Sequence, residues 1–133
     1  MSATVTSRTI VSGGTILDPR SRSKRVGDLL IADGRIFGVT DAAPSDWKDA
    51  ERIDATGSWV IPGLICLRTH VCEPGYEWKE DVASAMAAAA AGGFTSICAR
   101  PDTDPVNDVR AVTEQILMRA RQAIGARVLP VGA

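Results

Sequence analysis

Much of what this sequence lacks is informative. No apolar run approaches the roughly 18 residues that a bilayer-spanning helix needs, so a membrane span is not expected. Neither sign of charge is in excess: 15 Lys and Arg stand against 16 Asp and Glu, for a net charge of −1. A surface so balanced has no field to gather nucleic acid or anionic lipid. Cysteine is scarce, with only Cys66, Cys72 and Cys98. An odd count without a C-x-x-C pair argues against a disulfide framework and a paired zinc motif. It suits a reducing compartment, the cytoplasm. The opening "MSATVTSRTIVSGG" has no long apolar core and does not read as a signal peptide. Histidine occurs once, at His70.

What remains is an ordinary globular composition, 45% hydrophobic and 23% charged. That excludes disorder and allows one modest core. The one basic run, "RSRSKR" at 20–25, lies between turn residues and is expected to be a solvated loop.

The patterning divides the chain near residue 58. In "RTIVSGGTIL" (8–17), Ser12-Gly13-Gly14 predicts a tight hairpin between two short strands. "GDLLIADGRIFGV" predicts strands over 28–32 and 35–40 around an Asp33-Gly34 turn, a strong hairpin signal. Short strands resume around Gly57, so residues 1–58 read as an antiparallel β module. Beyond it, "WVIPGLICL" predicts a strand buried on both faces. Residues 79–91 predict a helix with Val82, Met86 and Ala89 or Ala90 on its inner face, ended by Gly92-Gly93. Its Glu80 and Asp81 would lie in the first turn, where carboxylates suit the helix dipole. Neither they nor Glu73 need acid-base chemistry. "FTSICAR" predicts a second strand. Residues 108–124 predict a helix with the stripe Val109, Val112, Ile116, Ala120 and Ala123, with Arg119 and Arg121 suiting its C-terminal dipole. "RVLPVGA" begins a third strand. This β-α-β-α-β order builds parallel sheet.

Several motifs now fall in sequence: Pro62-Gly63-Leu64-Ile65, Glu73-Pro74-Gly75 with Lys79-Glu80-Asp81, Gly92-Gly93-Phe94-Thr95, and Pro101 with Thr103, Pro105 and Asp108. From about residue 8 to the last, the chain resembles the dihydroorotases of the amidohydrolase superfamily. The resemblance implies an α/β fold: a small antiparallel β module, then, over 59–133, the first β/α units of a (β/α)8 barrel, incomplete in this chain. It implies an enzyme class that uses zinc to interconvert dihydroorotate and carbamoyl-aspartate in pyrimidine synthesis. The family's first barrel strand ends in D-x-H-x-H, whose two His side chains share a face because strands alternate with period two.

The implied functional positions are altered here. The family's Asp is Cys66, its first metal His is Arg68, its substrate-binding Arg is Cys72, and its substrate-binding Asn is Asp102. Only the second His survives, as His70. Arg68 places a permanent cation where a metal would sit, and a guanidinium does not ligate. Cys72 lacks the bidentate geometry for a carboxylate. Asp102 would repel an anionic substrate. Neither metal nor substrate binding, and no catalytic residue, is therefore expected. A competing arrangement has Cys66, His70 and Cys72 as zinc ligands on one strand face, but Arg68 would share that face. Small buried fillers are the simpler expectation for the cysteines, and a hydrogen-bonded role for His70.

A complete barrel takes about 250 residues, and the family's other metal ligands and its catalytic Asp come from later strands. The resemblance thus implies a non-catalytic dihydroorotase-like subunit, a scaffold for aspartate carbamoyltransferase. The alternatives are part of an active cyclic-amide hydrolase with a remodelled site, or a decayed fragment. Open sheet edges would need a partner or self-association.

Overall fold

The computed structural model describes residues 7–133. The chain divides into two compact units, Met1–Pro62 and Gly63–Ala133.

The first unit is a single sheet. Strand β1 (Arg8–Asp18) pairs antiparallel with β2 (Ser23–Ala32), and β2 with β3 (Arg35–Thr40). Strands β4 (Glu51–Asp54) and β5 (Trp59–Val60) add to β1 in parallel. The Asp33-Gly34 turn forms as expected, both residues having positive φ. The hairpin expected at Ser12–Gly14 does not form. β1 runs straight through, and the extra residue becomes a bulge between Val11 and Gly14. Gly13 takes φ +71°, and a Cβ there would come within 2.7 Å of Thr56 Oγ1. Asp28 holds the bulge, one carboxylate oxygen accepting from Gly13 N and the other from Ala43 N. The basic run is also not wholly loop. Ser23, Lys24 and Arg25 lie in β2, paired with Asp18, Leu17 and Ile16 in turn, because their backbone completes the ladder while their side chains stay exposed. Ile10, Leu30 and Trp47 form this unit's core.

The second unit is a parallel sheet in the order β6-β7-β8: Leu64–Thr69, Phe94–Ala99 and Arg127–Pro130. Helix α1 (Val82–Ala91) and helix α2 (Arg110–Gln122) cover it. Their buried Val82, Ala85, Met86, Val112 and Ile116 meet Ile97, Ala99, Val128 and Val71. Both helices are shorter than expected. Asp81 is not in the first turn of α1; it is the cap, accepting from Ser84 N, while the Ser84 hydroxyl completes a capping box. Val109 caps α2 and stays exposed, so the inner stripe starts at Val112. The long buried strand expected from Trp59 onward is interrupted. Pairing stops at Val60 and resumes at Leu64, because Pro62 offers no donor. Ile65 and Leu67 of β6 are exposed, since both helices pack on the opposite face of the sheet. Among the described residues no helix is long and apolar enough to cross a membrane.

Candidate functional site

In barrel-type sheets the chemistry sits where the strands end. Here the ends of β6 and β7 come together at Asp102. His70 Nδ1 lies 3.2 Å from Asp102 Oδ2, and Arg100 Nη2 lies 3.0 Å from the same oxygen. Arg100 N also donates to Thr69 O, which fixes the two strand ends side by side. His70 therefore has a carboxylate beside it.

The loop after β6 turns sharply. Cys72 takes φ +57°, so the alternation that would align Cys66, Arg68, His70 and Cys72 ends at Thr69. A register shift between Cys66 and Thr69 disturbs it further. Cys66 packs on the helix-side core and Cys72 faces an open hollow. The in-line Cys/His zinc arrangement is thus not formed. The cysteines are not buried fillers either; all three are half-buried. Cys66 lies in the edge strand β6 and Cys72 in the turn after it, while Cys98 lies in the central strand β7.

The hollow has a volume of about 480 Å³ and is lined by His70, Cys72, Tyr76, Lys79 and Asp102. Lys79 Nζ stands 5.0 Å from the Tyr76 ring centre and 4.6 Å from that of Trp78. The loop that carries Cys72 and Tyr76 is held by Glu73. That carboxylate is buried, accepts from Val82 N at 3.0 Å, and pairs with Arg119 Nε at 2.8 Å. Arg119 thus serves this carboxylate, where only a dipole role was expected of it. Gly75, at φ +104°, lets the loop lie against the one after β7, since a Cβ there would overlap Asp104. That second loop is anchored by Asn107, which donates to Val131 O and accepts from the Thr113 hydroxyl. Sequence reasoning missed both Glu73 and Asn107 as anchors. The only signal was a carboxylate just before Pro-Gly and an Asn just before a helix.

The chain covers 92% of its own length in an alignment with "Dihydroorotase" of Anaeromyxobacter sp. (strain K), at 47% identity over 123 residues. "Dihydroorotase" of Syntrophotalea carbinolica is 48% identical over 93% of the chain. A family model described as dihydro-orotase-like matches residues 57–133. This chain belongs to the dihydroorotase-like family. It spans about 28% of the length of the curated relatives it matches. Among solved structures, a D-hydantoinase matches 92% of the chain and 26% of its own length, at 31% identity and a TM-score of 0.76. The L-hydantoinase of Arthrobacter aurescens matches at 24% identity and a TM-score of 0.74, which supports the fold alone. The fold is the N-terminal part of an amidohydrolase (β/α)8 barrel, with its small β module.

Zinc, which the family resemblance implies, does not fit the donors present. Among the described residues no three His, Cys, Asp or Glu side chains gather to hold a metal. Arg68 stands at one family ligand position, and His70, whose Nδ1 faces Asp102, is the one family ligand left to offer a nitrogen. Asp102 also differs from expectation in effect. Flanked by Arg100 and His70, it does not present an uncompensated negative charge.

Proposed function

We propose that this chain is part of a dihydroorotase-like protein of pyrimidine biosynthesis that is itself non-catalytic. It would act in the cytoplasm as a structural subunit or scaffold for aspartate carbamoyltransferase. The observation that carries this reading is the Arg100–Asp102–His70 cluster, with Arg68 beside it in sequence. The family framework stands around a site in which Arg68 takes one ligand position and Asp102 pairs with Arg100. A scaffold needs the framework and not the ligands. Copurification from native cells tests it: aspartate carbamoyltransferase in fixed ratio supports the reading, and its absence from the purified assembly counts against it.

The second reading is an active cyclic-amide hydrolase with a remodelled site. The 46–48% identity to proteins named dihydroorotase favours it, as does the 31% identity to a D-hydantoinase. Turnover of dihydroorotate by the native protein, abolished by a chelator, would select this reading over the scaffold.

A further inference from the structure

Two concentrations of charge, of opposite sign, lie in different units. The turn from β1 into β2 carries Arg20, Arg22, Lys24 and Arg25, all exposed. Among the described residues none of these four is in an ion pair. The acid beside them, Asp18, is turned back on the loop, accepting from Arg20 N at 2.9 Å and from the Ser21 hydroxyl at 2.6 Å. Those bonds fix the shape of the tip. Counted with Asp18, three positive charges remain. Arg22 takes φ +55°, a conformation that usually falls to glycine or asparagine, so the tip keeps a cation there at some backbone cost. The acids of the second unit gather on the loops after β6 and β7, from Glu73 to Asp108. Two of them are matched, Glu73 by Arg119 and Asp102 by Arg100, while Arg110 is held by Glu114. Glu77, Glu80, Asp81, Asp104 and Asp108 remain, against Lys79; counting Arg68 of β6 as well still leaves three negative charges. The two loops touch. Asp104 N donates to Pro74 O, Asp104 lies against Gly75, and Gly75 N donates to the Glu77 carboxylate. Glu77 and Asp81 also line a hollow of about 320 Å³, roomy enough to seat a guanidinium.

We propose that the basic tip of one copy docks on this acidic face of a second copy, with Arg20 and Lys24 among the cations and Glu77 and Asp104 among the acids that meet. This goes beyond the reading of the site and holds whether or not the site is catalytic. Opposed charge patches steer encounter and fix orientation. Because the two patches are different surfaces, the contact is head to tail, and copies add in a row rather than closing as a pair. Exposed charges act over a Debye length of about 10 Å at 0.1 M salt, so the contact weakens as salt rises. Association through apolar surface does not weaken with salt in this way.

Sedimentation velocity of the full chain at rising concentration, in about 20 mM and about 300 mM sodium chloride, tests it. The sedimentation coefficient is expected to climb with concentration at low salt, and the climb to flatten at high salt. Arg20→Glu with Lys24→Glu, and separately Glu77→Lys with Asp104→Lys, are each expected to weaken the low-salt association about tenfold or more, attractions having become repulsions. All four reversals in one chain restore its net charge and both opposed patches, and this variant is expected to regain the association. Net charge alone is thereby ruled out as the cause. Arg20→Gln with Lys24→Gln, and Glu77→Gln with Asp104→Asn, serve where a reversal fails to fold, with a smaller loss in the same direction. A monomer at both salts, an association indifferent to salt, or undiminished association in either folded pair of reversals overturns the proposal. So does a folded fourfold variant that stays apart. A labelled single-stranded oligonucleotide of about 20 nucleotides is expected not to bind at about 0.1 M salt; binding that the tip reversals abolish would assign the tip to nucleic acid and equally overturn it.

Discussion

Arg119 Nε lies 2.8 Å from Glu73 Oε1, and the two differ sharply in exposure: the Arg119 side chain is 51% exposed and that of Glu73 only 9%. The pair ties the loop after β6 to the last turn of α2. Its asymmetry has a direct consequence. Arg119→Met leaves a carboxylate buried with one backbone donor, whereas Glu73→Gln leaves a guanidinium that water can reach. Arg119→Met is therefore expected to cost more, on the order of 2 kcal/mol, and Glu73→Gln about 1 kcal/mol. Urea unfolding of both variants checks the order. A larger loss from Glu73→Gln would mean that the Val82 N–H bond, not the ion pair, dominates.

Asn107 is a second anchor, 1% exposed, joining the loop before α2 to the end of β8. Asn107→Ala orphans the Val131 carbonyl and the Thr113 hydroxyl. The expected loss is about 1–3 kcal/mol. Hydrogen exchange should quicken at Ala133 N, which donates to Asn107 O. An unchanged melt would contradict this role.

The cap of α1 sets a pH dependence. The Ser84 backbone N–H, then its hydroxyl, hold the Asp81 carboxyl below its ordinary value. A depressed folded value means that the stabilisation is present above the unfolded pKa, about 3.9. It is lost as pH falls through the lowered folded value. The difference in Tm between the native chain and Asp81→Ala should therefore be full at pH 6 and shrink below about pH 4. A constant difference from pH 6 to pH 2 would show that the carboxylate charge plays no part.

Much of the fold was legible because it depends on local chemistry. Asp33-Gly34 must turn, Gly92-Gly93 must stop a helix, and the β-α-β order dictates parallel pairing. The errors came where long-range pairing overrode local signals. Ser12-Gly13-Gly14 has hairpin chemistry, yet β4 and β5 pair along β1 and keep it straight. The run from Trp59 to Leu67 looks buried by composition, but exposure depends on what faces it, and composition does not carry that. In the site, the resemblance identified the altered positions. It did not show that Asp102 is shared by Arg100 and His70, because His70 follows β6 and Asp102 follows β7, and only the pairing of the two strands brings them together. Nor did it show Glu73 as buried, since burial there depends on α2, some forty residues on in sequence.

The exposed apolar surface carries its own expectation. Ile65 and Leu67 are 59% and 79% exposed in the second unit, and Ile36, Phe37 and Trp59 about 70% in the first. Patches of this kind mark interaction surfaces. The isolated 133-residue chain is expected to self-associate and to bind a hydrophobic dye. Leu67→Ser with Phe37→Ser should reduce both. A compact monomer at micromolar concentration that binds no dye would contradict this.

We propose that His70, Asp102 and Arg100 form a paired cluster where the family has its metal centre. Elemental analysis of the chain, purified from zinc-supplemented growth, tests it most directly. The expected result is zinc far below stoichiometric, unchanged by His70→Ala. About one zinc per chain, surviving gel filtration and lost in His70→Ala, would contradict it.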